Sequence, residues 1–230
     1  MFFAIDEYFV VVPARAGSQR IIDKNNQKIG EKTLVEWAIE CALTLFPKNQ
    51  IVLVTDSEKS SASGINYGVQ VLGRPPEISL ANSSTEILIE HVMEHYPSEK
   101  YVLLQPTSPF RTRSDIKTCI ESFEKLNVRS VMSVTLPWHP PKDLYIASEE
   151  FEISFVPKSI ALEQKDQYYF DTGAVYVFES QLIRDRKPIV DSEYTQAVRV
   201  NQMAFFDIDY EFHLDLAKSY YQLEGWNFDR

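Results

Sequence analysis

The stretch VVVPARAGSQRIIDKNN, Val10 to Asn26, decides how the chain is read. Its three valines favour a buried strand over a helix, and Pro13 and Gly17 then break the run. Arg15, Arg20 and Lys24 follow within ten residues, in a chain whose 33 acidic and 23 basic residues leave a net charge of −10. Cations gathered just past a buried strand of so acidic a protein need a local reason.

On either side of this stretch, apolar β-branched runs bounded by turn residues recur. They lie at Tyr8 to Pro13, Gln50 to Thr55, Val69 to Leu72, Tyr101 to Gln105 and Ser130 to Thr135, the pattern of short buried strands. Segments of helical period separate them: Thr33 to Phe46, Ser57 to Asn66, Ser84 to Tyr96, and Ser114 to Leu126 behind the cap-like TRSD. This alternation predicts an α/β fold, Rossmann-like and doubly wound around a mostly parallel sheet. It stops at residues 136–167, where prolines, one short alternating strand and a polar loop read as an inserted arm. Strand signals return over Tyr168 to Phe178 and Gln196 to Asp207, and a last helix is expected from Tyr210 to Leu223. No linker divides residues 1–230, so one domain is expected.

Composition narrows the function. No stretch approaches the roughly 20 apolar residues of a membrane span. The opening MFFAIDEYF carries Asp6 and Glu7 where a secretory leader would be basic and then apolar, so a cytoplasmic protein is expected. The acid excess, with no block of Lys or Arg, argues against nucleic-acid and membrane partners. Cys41 and Cys119 each sit in a helical pattern without CxxC spacing and are expected to be reduced core thiols. His91 and His95 stand i,i+4 in EILIEHVMEHYP but lack the Glu of HExxH, so a solvated helix face is preferred over a metalloprotease site.

Three segments are candidates for chemistry. In an open parallel sheet, ligands bind beyond the carboxyl ends of the strands, where Ala14 to Asn25 lies. Amides exposed by Ala14, Ala16, Gly17 and Ser18 would approach phosphate oxygens while Arg15, Arg20 and Lys24 neutralise them; alternatively the cations pair with surface carboxylates. Neither a Walker A loop nor a GxGxxG fingerprint is present. In MAFFDIDYEFHLDLA, Asp207 and Asp209 stand two apart at an expected strand end, so both would face one side and share a hard cation such as Mg²⁺; alternatively Asp209 caps the last helix. In LLQPTSPFR, Gln105 is offered to a ligand by a loop stiffened by Pro106 and Pro109, unless the loop is only a rigid turn.

Taken in order, these motifs resemble the cytidylyltransferases that activate nine-carbon 2-keto sugar acids, the N-acylneuraminate, legionaminate and pseudaminate group. PARAGSQRIIDKN resembles PARxGSKxIxxKN, RPPEIS with NSST resembles RPxELA with its downstream Ser/Thr, and LLQPTSPFR resembles QxTSPxR. HPPK resembles HPxK, TGAVYVF resembles (N/T)GAxY, and DIDYEFHL resembles DIDxxxDL. The resemblance implies a nucleotidyltransferase, GT-A-like fold and CMP transfer from CTP to the anomeric C2 hydroxyl of a nine-carbon 2-keto-3-deoxy sugar acid. It also implies a homodimer formed through the arm at 136–167. Arg15, Ala16, Gly17, Ser18, Arg20, Lys24, Asn25, Arg74 and Ser84 would bind CTP. Gln105, Lys142 and Tyr169 would bind the sugar acid, and Asp207 and Asp209 would hold Mg²⁺, with Asp209 also a candidate proton acceptor. The catalytic set is then Asp209, Asp207, Arg15 and Lys24. Gln19 stands where many members have Lys, Ile22 where proline is usual, and His213 replaces the last Asp of DIDxxxDL. Competing readings are a 3-deoxy-manno-octulosonate cytidylyltransferase and a non-catalytic nucleotide-sugar-binding protein.

Overall fold

Val10, Val12 and Ala14 of the first strand, β1 (Tyr8–Ala14), pack on one side of a sheet and Val11 on the other, and both sides are buried. A strand covered on both faces reads as the unbroken apolar run seen in the sequence. The computed structural model describes residues 5–80, 83–137, 145–147, 153–155 and 168–229.

After β1, a small hairpin, β2 (Lys28–Ile29) and β3 (Lys32–Thr33), leads into helix α1 (Leu34–Leu43). Thr33 and Glu36 form a capping box there, each side chain taking the other's backbone N–H at 3.2 and 2.7 Å. The chain continues through β4 (Ile51–Thr55), α2 (Glu58–Tyr67), β5 (Gln70–Gly73), α3 (Thr85–His95), β6 (Lys100–Leu103), α4 (Arg113–Leu126) and β7 (Ser130–Thr135). The TRSD segment is a second capping box, Thr112 with Asp115. Of the arm expected at 136–167, the described residues include β8 (Tyr145–Ala147) and β9 (Ile153–Phe155), an antiparallel pair; most of the arm lies outside the described residues. Then come β10 (Phe170–Glu179), the short helix α5 (Ser180–Arg184), β11 (Thr195–Arg199) and α6 (Glu211–Glu224).

Seven strands form one sheet in the order β11-β7-β10-β6-β1-β4-β5. All neighbours are parallel except β10, which runs antiparallel to both β6 and β7. The mostly parallel, doubly wound expectation therefore matches the architecture. Helices α1 and α4 cover one face, through residues such as Ile39 and Ile120; α3 and α5 cover the other, through Leu88, Ile89 and Leu182. Cys41 and Cys119 are free and buried, and burial pushes the Cys41 thiol up to about 12, as inert core thiols require.

One expected element is corrected. The strand expected over Gln196 to Asp207 ends at Arg199, and Gln202–Phe205 is a 3₁₀ turn. Asn201 starts that turn by accepting the Met203 N–H at 2.8 Å, after its neighbour Val200 has closed the ladder onto Val134. Asp207 and Asp209 consequently sit on irregular backbone, not on a strand.

Gly64 of α2 offers a test of how tightly a helix meets the sheet. A Cβ there would fall 2.7 Å from Val71 and 2.9 Å from Leu53. Helix propensity alone favours Gly64→Ala by about 1 kcal/mol, whereas overpacking costs about 1–3 kcal/mol. A net loss of about 1 kcal/mol is expected in the urea midpoint; a stabilised variant would show that this contact is loose.

Candidate active site

Sheet order reverses about β1, which lies between β4 and β6, and the crevice at such a reversal is where open α/β sheets hold ligands. Pro13 helps open it. The Val11 carbonyl accepts the Leu104 N–H at 3.0 Å, and the β6 ladder stops at Val11 and Leu103. Groups two residues apart point the same way along a strand, so proline's missing N–H faces the gap where no partner remains. A cleft of about 200 Å³ begins there, and Arg15, Ser18, Lys24, Asn25, Arg74, Ser84 and Gln105 all line it. A second cleft of about 300 Å³ shares Arg15, Ser18 and Lys24 with the first and adds Arg20 and Asp209.

The loop after β1 is tied down from below. Asn25, buried, donates its amide to the Arg15 carbonyl at 2.9 Å, and Ile21 is buried in an apolar cluster with Trp37, Phe110 and Leu214. Ile22, which replaces the usual proline, is 83% exposed, so the loop is anchored by its neighbour. Gly17 adopts φ +65°, a left-handed turn that favours glycine. One expectation is corrected here. The Ala16 N–H is not left open for a phosphate, because it donates to Asp56 Oδ1 at 2.6 Å. Gln19, in the place of the usual lysine, is exposed, while Arg20 Nη1 reaches Asp209 Oδ2 at 2.9 Å and its guanidinium lies 4.9 Å over the Tyr210 ring. Lys24 Nζ holds the other oxygen, Asp209 Oδ1, at 3.0 Å.

Across the cleft stands Arg74. Its guanidinium donates twice to the Ile78 carbonyl, at 2.8 and 2.5 Å. Burial lowers its pKa, opposed by Asp56 and reinforced by the like charge of Arg15. Among the described residues no carboxylate forms an ion pair with Arg15 or Arg74, so two cations face one cleft with charge to spare. Ser84, at the start of α3, accepts the Ile87 N–H at 3.4 Å, placing a helix N-terminus on the same wall.

The carboxylates divide their work. Burial, followed by the nearby charge of Asp209, raises the pKa of Asp207, against a side-chain hydrogen bond from Thr107. Asp209 is partly buried too, but the hydrogen bonds and charges of Lys24 and Arg20 outweigh that and hold it below the usual carboxylate range. That makes Asp209 a poor proton acceptor in this state. Two interacting carboxylates, one poorly neutralised, are an all-oxygen donor set that fits a hard dication. The helix-cap alternative falls away, because Tyr210 occupies the cap position of α6. His213 supports the pair: its Nδ1 lies 2.8 Å from the Asp207 carbonyl oxygen and 3.2 Å from the Asp209 amide nitrogen.

The Gln105 loop is held by a group that spacing did not single out. Arg111 is fully buried and its guanidinium donates to carbonyls: Ala174 at 2.9 Å, Ser108 at 3.1 and 2.8 Å, and Gln105. Burial pulls its guanidinium down to about 10. Gly173, at φ +63°, lets β10 pass so close that an added Cβ would sit 2.8 Å from Gln105 Oε1. The Thr107 carbonyl accepts the Ile208 N–H at 2.8 Å, joining this loop to the carboxylate segment. Arg111 and Thr107 both lie inside the PTSPFR motif, yet nothing in linear spacing indicates which distant backbone each would reach. Of the other residues expected on the sugar side, Tyr169, 44% exposed, lines neither cleft, and Lys142 lies outside the described residues.

The sheet and cleft define an α/β nucleotidyltransferase fold, and comparison with known proteins agrees. The family model described as Cytidylyltransferase matches residues 9–224, and the chain belongs to that family. N-acylneuraminate cytidylyltransferase of Escherichia coli O18:K1:H7 is 28% identical over 211 residues, 90% of this chain and 50% of that protein. Pseudaminic acid cytidylyltransferase of Campylobacter jejuni is 23% identical over 93% of this chain and 95% of its own length. The CMP-N,N'-diacetyllegionaminic acid synthase of Legionella pneumophila is 33% identical over 54% of this chain and 56% of its own. The chain thus spans about half the length of the bacterial N-acylneuraminate relatives it matches. A solved CMP:2-keto-3-deoxy-manno-octonic acid synthetase complexed with CTP superposes with a TM-score of 0.71 at 15% identity, covering 95% of this chain and 99% of its own, which shows the fold.

The raised pKa of Asp207 means the folded chain holds that proton more tightly than the unfolded chain does. Stability therefore falls as pH rises from the ordinary carboxylate range, about 4, through the raised value. In metal-free buffer at neutral pH, Asp207→Asn is expected to melt above the parent, with the difference vanishing below about pH 4. Equal melting temperatures at neutral pH would show that Asp207 carries no such penalty.

Proposed function

We propose that the chain transfers CMP from CTP to the anomeric C2 hydroxyl of a nine-carbon 2-keto-3-deoxy sugar acid and releases pyrophosphate. The observation that carries this reading is the pair Arg15 and Arg74, neither in an ion pair among the described residues and both lining a single cleft with Gln105 and Lys24. An acidic protein concentrates cations there for a polyanion. The C2 oxygen bonds to the α-phosphorus, the bond to the bridging oxygen breaks, and the hydroxyl proton leaves to a base. Both substrates are anions, so the barrier is lowered by positioning and charge neutralisation.

In this reading Arg15, Arg74 and the amides of Gly17 and Ser18 grip the triphosphate, and Asn25 and Ser84 shape the nucleoside side. Asp207 and Asp209 hold Mg²⁺, which when bound supplies further neutralisation at the phosphates. Lys24 and Arg20, which otherwise neutralise Asp209, are then available to the nucleotide, and Arg20 does what a lysine at position 19 does in relatives. Gln105 hydrogen-bonds the sugar acid, with Lys142 assigned to the same substrate and Tyr169, outside both clefts, at most bordering it. The segment around β8 and β9 serves self-association in a homodimer. A consumer of CTP belongs in the cytoplasm, and no helix among the described residues is long and apolar enough to cross a membrane.

Pyrophosphate release is expected only when CTP, Mg²⁺ and a nonulosonic acid are all present, and sialic, legionaminic and pseudaminic acids assayed side by side identify the sugar. Silence across the panel with CTP binding intact would favour a binding protein; turnover of the eight-carbon acid alone would favour the octulosonate enzyme. Asp209→Asn should lower kcat by about 10²-fold or more while sparing most CTP affinity. Gly173→Ala should raise KM for the sugar acid and leave CTP affinity unchanged, because the intruding methyl meets Gln105. An unchanged KM would remove Gln105 from the sugar site.

A further inference from the structure

His91 and His95 lie one turn apart on α3, with Glu94 beside them, away from the cleft just described. Spacing reads them as a solvated helix face, but the structure adds what spacing lacks. His91 Nε2 is 3.0 Å from the Gly73 carbonyl oxygen, and His95 Nδ1 is 3.0 Å from the His91 carbonyl oxygen. A carbonyl has no proton to give, so each of these ring nitrogens is the N–H donor. The opposite nitrogens, His91 Nδ1 and His95 Nε2, therefore carry the lone pairs of the neutral rings. His91 Nδ1 is 3.9 Å from Glu94 Oε2, and one ligand atom from each of the three residues falls within 4.8 Å of the others. The rings meet edge to face, with centroids 4.8 Å apart. Backbone carbonyls thus fix both tautomers, as the supporting partners of metal-bound histidines do.

We infer that His91, Glu94 and His95 form a site for a borderline divalent transition cation, with Zn²⁺ the fitting ion, distinct from the Asp207 and Asp209 pair. Two imidazoles and a carboxylate are a Zn²⁺ donor set that leaves a fourth position to water, whereas Mg²⁺ takes oxygen ligands. Metal–ligand bonds of about 2.0–2.1 Å put the ligand atoms of a tetrahedral site about 3.4 Å apart. Rotation of the exposed Glu94 side chain, with a small tilt of the His95 ring about its bond to the His91 carbonyl, closes that gap. The site is also wired to the nucleotide cleft. The other nitrogen of His91 holds Gly73, the residue before Arg74, and α3 begins beside Ser84. A cation on Nδ1 draws charge from the ring and strengthens the Nε2–H bond to Gly73. Occupancy therefore braces the junction of β5 and α3, a stabilising role independent of the proposed reaction.

The test titrates ZnCl₂ into the full chain in excess Mg²⁺, by calorimetry, with Co²⁺ as the spectroscopic probe. One equivalent is expected to bind, Co²⁺ to show four-coordinate visible absorption, and the melting temperature to rise with Zn²⁺. His95→Ala and Glu94→Gln alter exposed side chains and should melt like the parent without metal. Each should lose about 10–100-fold in Zn²⁺ affinity, at least what loss of a supporting partner costs. Equal Zn²⁺ affinity in the parent and His95→Ala, or Co²⁺ absorption of an octahedral aquo ion in the parent, would overturn the site.

Discussion

The contact of Lys24 and Arg20 with Asp209, at 3.0 and 2.9 Å, makes one site out of two stretches almost the whole chain apart. Its geometry is set elsewhere. Asp209 is 40% exposed, so each ion pair contributes about 1 kcal/mol or less after solvent screening. Burial of a phenylalanine contributes about 1.5–3 kcal/mol. Phe110, Phe206, Trp37, Ile21 and Leu214 share one apolar cluster beneath the site. That packing brings the loop after β1, the PTSPFR loop and the start of α6 together, and the charges then exploit the proximity. Charge decides what the site binds; aromatic packing decides where it is.

Arg111 plays the same part for the Gln105 loop. A fully buried guanidinium bonded only to carbonyls costs desolvation, and the cost is offset by the hydrogen bonds it gives to the backbone oxygens of Gln105, Ser108 and Ala174. The reward is geometric: Gln105, Ser108 and Ala174 are pinned to one group, so the loop after β6 and the neighbouring strand β10 hold a fixed separation. Gly173 completes the arrangement by removing the one atom that would collide with Gln105.

Much of this was legible in linear sequence because it rests on local rules. The alternation of buried strands and helices follows from period and turn chemistry, and Thr33 with Glu36 and Thr112 with Asp115 are capping signals that need no tertiary knowledge. The motif order pointed to Arg15, Ser18, Lys24, Asn25, Arg74, Ser84 and Gln105, which meet in one cleft. Other features escaped because they depend on what lies across space. Asp56 takes the Ala16 amide, the strand expected to carry Asp207 ends early at Arg199, and His213, read as a departure, sets its Nδ1 between the Asp207 carbonyl and the Asp209 amide.

The order of elements, the buried strands, the helix caps and seven residues of the cleft were determined by the sequence alone, since each depends on residues close along the chain or on a motif that keeps its spacing. Tertiary structure decided which charges are compensated. Among the described residues Arg20 and Lys24 are in ion pairs whereas Arg15 is not, and the pKa of Asp207 is raised while that of Asp209 is lowered. Coulomb and desolvation energies depend on distance and burial, and neither quantity is a property of position along the chain.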